Sequence, residues 1–280
     1  MKRGFVLPGG DAALAADLAR EAELAGWDGF FVWEPVWGVD AWVCLTAAAM
    51  RTQRIRLGTM LSPLSRMRPW KLASESATLD RLSGGRVILS VGLGAIDSGF
   101  AAFGEVTDRR TRAELLDEGL AIVTGLWRGQ PFNWRGKHYQ VRETDFAPAP
   151  PPFQQPRIPI WVVGALGSDR SMQRALQYDG LLPQVLRQGA DGSRQAQQAS
   201  PADLRKSMPW IRSQRAPGSA YDVIVEGETP GANPDAATAT LAAWRTAGAT
   251  WWLETLWRPV GNETAESEIR RRVRQGPPAI

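Results

Sequence analysis

LDRLSGGRVILSVGLG, residues Leu79 to Gly94, holds a helix end, a stop signal, a strand and the strand's exit in one short span. Leu79 and Leu82 close an apolar helical face. Gly84 and Gly85 supply the backbone freedom that a helix C-terminus needs. Val87 to Val91 is a continuous β-prone run, the pattern of a parallel strand covered on both faces. Gly92 and Gly94 then leave bare backbone at the strand's C-terminal end, where α/β proteins place their ligands.

The same unit repeats outward in both directions. Arg3–Leu7, Asp28–Trp33 and Arg54–Met60 read as the first three strands, each followed by a helical segment. Asp11 caps the first of these helices, and Arg68-Pro69 opens the third. Arg86–Val91 is the fourth strand, followed by a loop and a helix near 109–127 with Leu116, Leu120, Val123 and Trp127 on one face. Beyond it, Phe132–Phe146 alternates around Arg135-Gly136-Lys137 and reads as an inserted β-hairpin, with the proline-rich connector 148–159 leading back.

Ile160–Val163, a short Gly180–Pro183, Tyr221–Glu226 and Thr250–Glu254 complete eight strands. Gly189–Ser200 is polar and reads as a loop. Ser200-Pro201-Ala202-Asp203 has the capping-box form, Pro209 is expected to end or kink the helix it starts, and Asn233-Pro234 caps the next. The last helix spans roughly 264–275. Eight alternating units predict a single (β/α)8 TIM barrel over residues 1–280, with an insertion at about 129–158 between the fourth helix and fifth strand. A doubly wound open sheet is the alternative. No G-x-G-x-x-G opens a helix after the first strand, which counts against a dinucleotide-binding domain.

Composition narrows the chemistry. The 280 residues are 44% hydrophobic and 22% charged, ordinary for a globular protein with a sizeable core. No signal peptide is read at Met1, and no apolar run reaches the roughly 18 residues of a membrane helix, so a cytoplasmic address is expected. The single cysteine, Cys44, rules out an internal disulfide and reads as a packed thiol. With one histidine, His138, assigned to the hairpin surface, a zinc centre is not expected. A net charge of +4 is spread among acids, and the run Arg270-Arg271-Arg272 suits a helix C-terminus, so nucleic acid is not expected as a partner. Thirteen tryptophans either fill core or line a pocket for a flat or apolar ligand.

In a barrel the active site lies at the C-terminal strand ends. Here these carry Trp33-Glu34, Thr59-Met60-Leu61, Gly92-Leu93-Gly94 and Gly164-Ala165, with Glu226 and Glu254 the other acids. The set is glycine-rich and aromatic, suited to a large planar cofactor, with each glutamate open to a structural reading as a rim ion pair. Gly164, Ser168, Arg170 and Ser171 form either an anion site at a helix N-terminus or an ordinary helix cap.

These stretches resemble the luciferase-like flavin-dependent oxidoreductases, which include bacterial luciferase, alkanesulfonate monooxygenase and deazaflavin-dependent dehydrogenases and reductases. The resemblance runs through AELAGWDGFFVWE (22–34), RTQRIRLGTMLSPLSRMRPWKLA (51–73), TLDRLSGGRVILSVGLG (78–94), RAELLDEGLAIVTGLWRGQPFNWRGKHY (112–139), PRIPIWVVG (156–164) and YDGLLP (178–183), in order. It implies a TIM barrel holding FMN, reduced by a separate reductase, or a deazaflavin coenzyme at its mouth. It further implies a monooxygenase or reductase acting on a small organic substrate, and a homodimer or other homo-oligomer. A non-proline cis peptide at Met60-Leu61 would lie against the ring, Thr59 and Gly92 to Gly94 along it, and Gly164, Ala165, Ser168 and Ser171 at the phosphate, where Arg170 is also expected. One position departs. Many members carry Asp-His after the second strand, the His serving as base, whereas here the pair is Glu34-Pro35. This argues against a His-base dehydrogenase, leaves Glu34 as the candidate catalytic residue, and keeps a non-catalytic flavin-binding protein and, second, a deazaflavin-dependent dehydrogenase as alternatives.

Overall fold

The computed structural model describes residues 1–144, 150–188, 194–257 and 263–279. Eight parallel strands close on themselves: β1 (Lys2–Leu7), β2 (Gly29–Val32), β3 (Arg56–Thr59), β4 (Val87–Gly92), β5 (Ile160–Leu166), β6 (Gly180–Gln188), β7 (Asp222–Gly227) and β8 (Trp251–Thr255). Each pairs with its neighbours in sequence, and β8 returns to β1 with Val6 opposite Thr255. Around the barrel lie α1 (Ala12–Leu24), α2 (Ala41–Arg51), α3 (Pro69–Leu82), α4 (Arg109–Arg128), α5 (Asp169–Leu176), α6 (Pro201–Ser213), α7 (Pro234–Ala247) and α8 (Glu263–Arg274).

The continuous apolar strands follow from burial on both faces. Phe5, Phe30, Leu57, Leu89, Val162 and Leu181 pack outward beneath the helices, while Phe31, Ile88, Trp161, Ile224, Trp251 and Leu253 fill the interior. Phe31 stacks on Trp161 with centroids 5.4 Å apart, and Trp251 meets Trp161 edge-on at 5.1 Å. Three rings fit because the facing positions lack side chains. A Cβ on Gly29 would lie 2.7 Å from Phe31 Cε2, and one on Gly180 2.4 Å from Trp161 Cδ1. Two of the tryptophans, Trp161 and Trp251, therefore plug the barrel itself, and the open end lies at the strand C-termini.

Local signals set the helix starts. Asp11 accepts from Leu14 N–H at 2.8 Å, Asn233 accepts from Ala236 N–H at 3.1 Å, and Ser200 and Asp203 form a complete capping box. Between α4 and β5, Phe132–Arg135 pairs antiparallel with Gln140–Thr144. Glu118 ties this pair to α4 by accepting from Lys137 N–H at 2.8 Å and Tyr139 N–H at 2.9 Å. His138 Nε2 lies 2.9 Å from Glu114 Oε2, a packing contact of the hairpin. Cys44 is buried, and burial pushes its thiol up to about 11.

Three details differ from the sequence expectations. Of the two outcomes expected at Pro209, an end to α6 is not seen, since the helix runs on to Ser213. Pro209 and Arg205, whose carbonyl loses its partner, both lie on the exposed face, where water can serve that group. The sixth strand is longer than Gly180–Pro183, because Arg194–Gln198 pairs antiparallel with its extension to Gln188. The polar run expected as a loop is thus part strand, with 189–193 outside the described residues. Residues 145–149, where the expected hairpin ends, also lie outside them.

Candidate functional site

The end of β3 carries a connected polar chain. Thr59 Oγ1 lies 2.9 Å from Ser62 Oγ, and Ser62 Oγ donates to Glu34 Oε2 at 2.5 Å. Between Thr59 and Ser62, the Met60-Leu61 peptide is cis. Arg66 Nη2 donates to the carbonyls of Glu34 and Pro35 at 3.1 and 2.7 Å. Met60 belongs to the interior cluster, whereas Thr59 is fully buried and faces the other way. Phe31 points inward, so alternation sends Trp33 inward and Glu34 outward. The Glu34 carboxyl therefore braces the strand end from the helix side.

Burial raises the Glu34 carboxyl to about 7, with the Ser62 hydroxyl and Arg66 pulling against it. An unfolded glutamate titrates near 4.3, so the native state holds a proton that the unfolded chain has released. Stability from this group is present below the unfolded value and is lost as pH rises through about 7. Glu34→Gln, which keeps an acceptor for Ser62, should exceed the parent's stability by about 1 kcal/mol at pH 5 and by about 3–4 kcal/mol at pH 8. Denaturant melts at the two pH values measure the gap; a gap independent of pH assigns the titration elsewhere.

The exit of β4 is held by a residue that sequence reasoning passed over. Arg112, buried on α4, donates from Nη1 to the Leu93 and Gly94 carbonyls at 2.9 and 3.1 Å. Gly94 has φ +75°, and a Cβ there would lie 2.7 Å from both Phe100 Cζ and Pro63 Cβ. A Cβ on Gly92 would meet Val163 Cγ2 at 2.9 Å and Leu61 Cδ2 at 3.1 Å. The bare backbone thus serves close packing of the β3, β4 and β5 ends. No sequence signal singled out Arg112, which stands among Arg109, Arg110, Thr111 and Glu114 in the charged first turns of α4.

The residues expected at an anion site are not all brought together. Gly164 faces α5, where a Cβ would lie 2.4 Å from Leu181 Cδ1 and 3.0 Å from Met172 Sδ. Ser171 Oγ accepts from Ala165 N–H at 3.0 Å, and Arg170, largely exposed, lies 3.8 Å from Asp117. Ser168 is the N-cap of α5 and its hydroxyl makes no capping bond. It opens into a pocket of about 440 Å³ shared with Gly167, Lys206, Ser207 and Trp210, with Asp169 and Asp203 also on its wall. Ser168 is thereby brought to Lys206, while Ser171 and Arg170 are engaged elsewhere.

The two remaining strand-end acids part company. Glu254 faces α8 and is fully buried, accepting from Thr229 N–H at 2.9 Å, Trp252 Nε1–H at 2.8 Å and Arg272 Nε–H at 3.2 Å. Glu226 follows the interior residue Ile224 by two and so faces the barrel mouth. Burial raises its carboxyl above the ordinary range, against a hydrogen bond from the Trp257 indole. Its Oε2 is sealed from solvent and has no hydrogen-bond partner among the described residues. Trp257 meets Trp33 edge-on, centroids 6.3 Å apart.

The donor set at the mouth is thus apolar and aromatic walls with one inward carboxyl among the described residues. Among them no group of three His, Cys, Asp or Glu side chains converges to hold a metal ion. None of their helices is long and apolar enough to cross a membrane.

Comparison with known proteins adds lineage to this geometry. A profile of the luciferase-like monooxygenases matches residues 3–202. A putative coenzyme F420-dependent oxidoreductase of Mycobacterium tuberculosis is 36% identical over 180 residues, covering 60% of this chain and 50% of that protein. An F420-dependent glucose-6-phosphate dehydrogenase of Amycolatopsis mediterranei is 32% identical over 139 residues, covering 48% of this chain and 40% of that protein. The matched region spans half or less of the length of these relatives. Monooxygenase RslO1 of Streptomyces bottropensis superposes with TM-score 0.78 at 20% identity, covering 98% of this chain and 97% of that one. The coenzyme F420-dependent tetrahydromethanopterin reductase of Methanopyrus kandleri superposes with TM-score 0.75 at 17% identity, over 98% and 96%. At these identities the superpositions speak for the fold.

Proposed function

We propose, for a chain that belongs to the luciferase-like monooxygenase family, the role of a flavin- or deazaflavin-dependent oxidoreductase. Its reaction is a monooxygenation or reduction of a small organic substrate. The observation that carries this reading is the mouth itself. Trp33, Met60, Val163, Leu182 and Trp257 surround a single inward carboxyl, a surface suited to the faces of a planar heterocycle. When bound, a reduced flavin supplies oxygen activation, and a deazaflavin supplies hydride transfer without it.

In this reading the chain's own residues bind, orient and exclude water. The Thr59–Ser62–Glu34 chain and Arg66 fix the end of β3, so Glu34 acts as a positioning residue behind Met60 and Leu61. Arg112 fixes Leu93 and Gly94 along the adjacent wall. Gly92, Gly164 and Ala165 let the neighbouring walls close up. Ser168, aided by Lys206, is the site for a phosphate, while Ser171 holds the Ala165 amide and Arg170 lies at the outer rim. A separate reductase would serve the flavin version. Trp37, Val43 and Met50, exposed on α2 and the loop before it, support pairing of two copies, which light scattering reads.

Titration of the protein with FMN and with the deazaflavin coenzyme, followed by absorbance and by tryptophan quenching, tests the reading. One of the two should saturate with a single site. Saturation by neither overturns it.

A further inference from the structure

Of the strand-end acids Glu34, Glu226 and Glu254, Glu226 is the one directed into the mouth, and its Oε2 has no partner among the described residues. It sits near the C-terminal end of β7, flanked by Trp257, Trp33, Leu182, Val163 and Gln184 in the inward positions of the neighbouring strand ends and connections. None of these is a Lys or Arg. The contrast with Glu254 is sharp, although Glu254 lies only one residue beyond Leu253, the register partner of Glu226 on β8. Glu254 has a guanidinium, a hydroxyl, an amide and an indole around it. Glu226 has one indole, and a sealed Oε2 with no partner among the described residues.

A buried carboxyl oxygen without a partner costs free energy that a ligand donor can recover. The structure assigns Glu226, with Trp257 and Trp33, as a subsite for an organic ammonium group, so that the substrate class of the proposed oxidoreductase is an amine with an apolar body. The complement is threefold. A cation supplies the missing donor and the missing counter-charge to Glu226. The indole pair, Trp33 and the half-exposed Trp257, offers π faces that attract a cation. The apolar wall takes the hydrocarbon portion. Anionic substrates meet the opposite, an unneutralised acid and no basic group among these side chains to receive them. The inference rests on the oxidoreductase reading only for the word substrate; the ammonium subsite stands on the side chains themselves.

Benzylamine, with benzyl alcohol and benzoate as shape-matched controls, tests it on the full chain at pH 8 by calorimetry and tryptophan quenching, with and without FMN. Benzylamine is expected to bind about tenfold tighter than benzyl alcohol, and benzoate weakest. Glu226→Gln should bring benzylamine down to the alcohol's affinity, leave the alcohol unchanged, and keep or raise the melting temperature, since a desolvated acid is removed. Equal binding of amine and alcohol by the parent overturns the inference, as do tighter benzoate binding, no amine binding at millimolar concentration, or a preference that survives Glu226→Gln. The parent comparison stands even if the variant folds poorly. Amine preference without binding of either cofactor would sink the oxidoreductase reading and keep the subsite; cofactor binding without the preference would do the reverse.

Discussion

Replacing Arg272 with leucine is expected to lower stability by about 3–5 kcal/mol, because it strands a buried carboxylate without its cation. Arg272 and Glu254 are both buried, and the arginine also donates to Thr229 Oγ1 at 3.0 Å and to the Gly276 carbonyl at 2.8 Å. Its guanidinium lies 5.1 Å from the Trp27 ring. The pair fastens α8 to β8 and so helps close the barrel between its last and first strands. Leucine fills part of the volume but leaves the Glu254 charge unpaired. In a chain of this size the melting temperature should fall by about 10 °C. The double variant Arg272→Leu with Glu254→Gln should recover roughly half of the loss, because the stranded charge is gone. Equal stability of single and double variants would show that the charge is not the source.

Gly94→Val is expected to remove cofactor binding and stability together. From the sequence alone the position reads as bare backbone reserved for a ligand, so that a bulky residue would spare the fold. The structure overturns that expectation: φ is +75°, and a Cβ would sit 2.7 Å from Phe100 and from Pro63. A side chain in the left-handed region costs about 1–2 kcal/mol, and forcing it between two packed groups adds about 1–3 kcal/mol. Gly104→Ala is the control, since φ there is +71° with no atom within 4 Å of the added Cβ. It should show the conformational cost alone and leave cofactor affinity intact. If Gly94→Val were no less stable than Gly104→Ala, the packing account of the β4 exit would fail.

Much of the barrel was legible because helix stops, caps and buried strands are local events. The Gly84-Gly85 break, the Val87–Val91 run and the caps at Asp11, Ser200 and Asn233 need only near neighbours to act. Pro209 sits inside α6 without ending it: both it and Arg205, four residues earlier, lie on the exposed face, where water can serve the freed carbonyl. Arg194–Gln198 misled because a polar strand at a sheet edge has no hydrophobic alternation to betray it. At the mouth, Glu34, Glu226 and Glu254 looked alike as strand-end acids. Side of the wall separates Glu226 from the other two, and partners separate Glu34, held by Ser62, from Glu254, held by Arg272.

By itself, then, the sequence determined a parallel eight-unit barrel, the absence of a cysteine- or histidine-rich metal centre, and a glycine-rich, aromatic strand-end rim. Period and composition carry those, and both are written along the chain. Tertiary structure alone decided that Glu254 is sealed against Arg272, that Glu34 braces β3 through Ser62, and that Glu226 looks into the mouth with an unused oxygen. A carboxyl's role depends on which partners reach it and how far water is excluded. Arg272 lies 18 positions from Glu254, and Ser62 28 from Glu34, separations removed by packing α8 against β8 and by pairing β2 with β3.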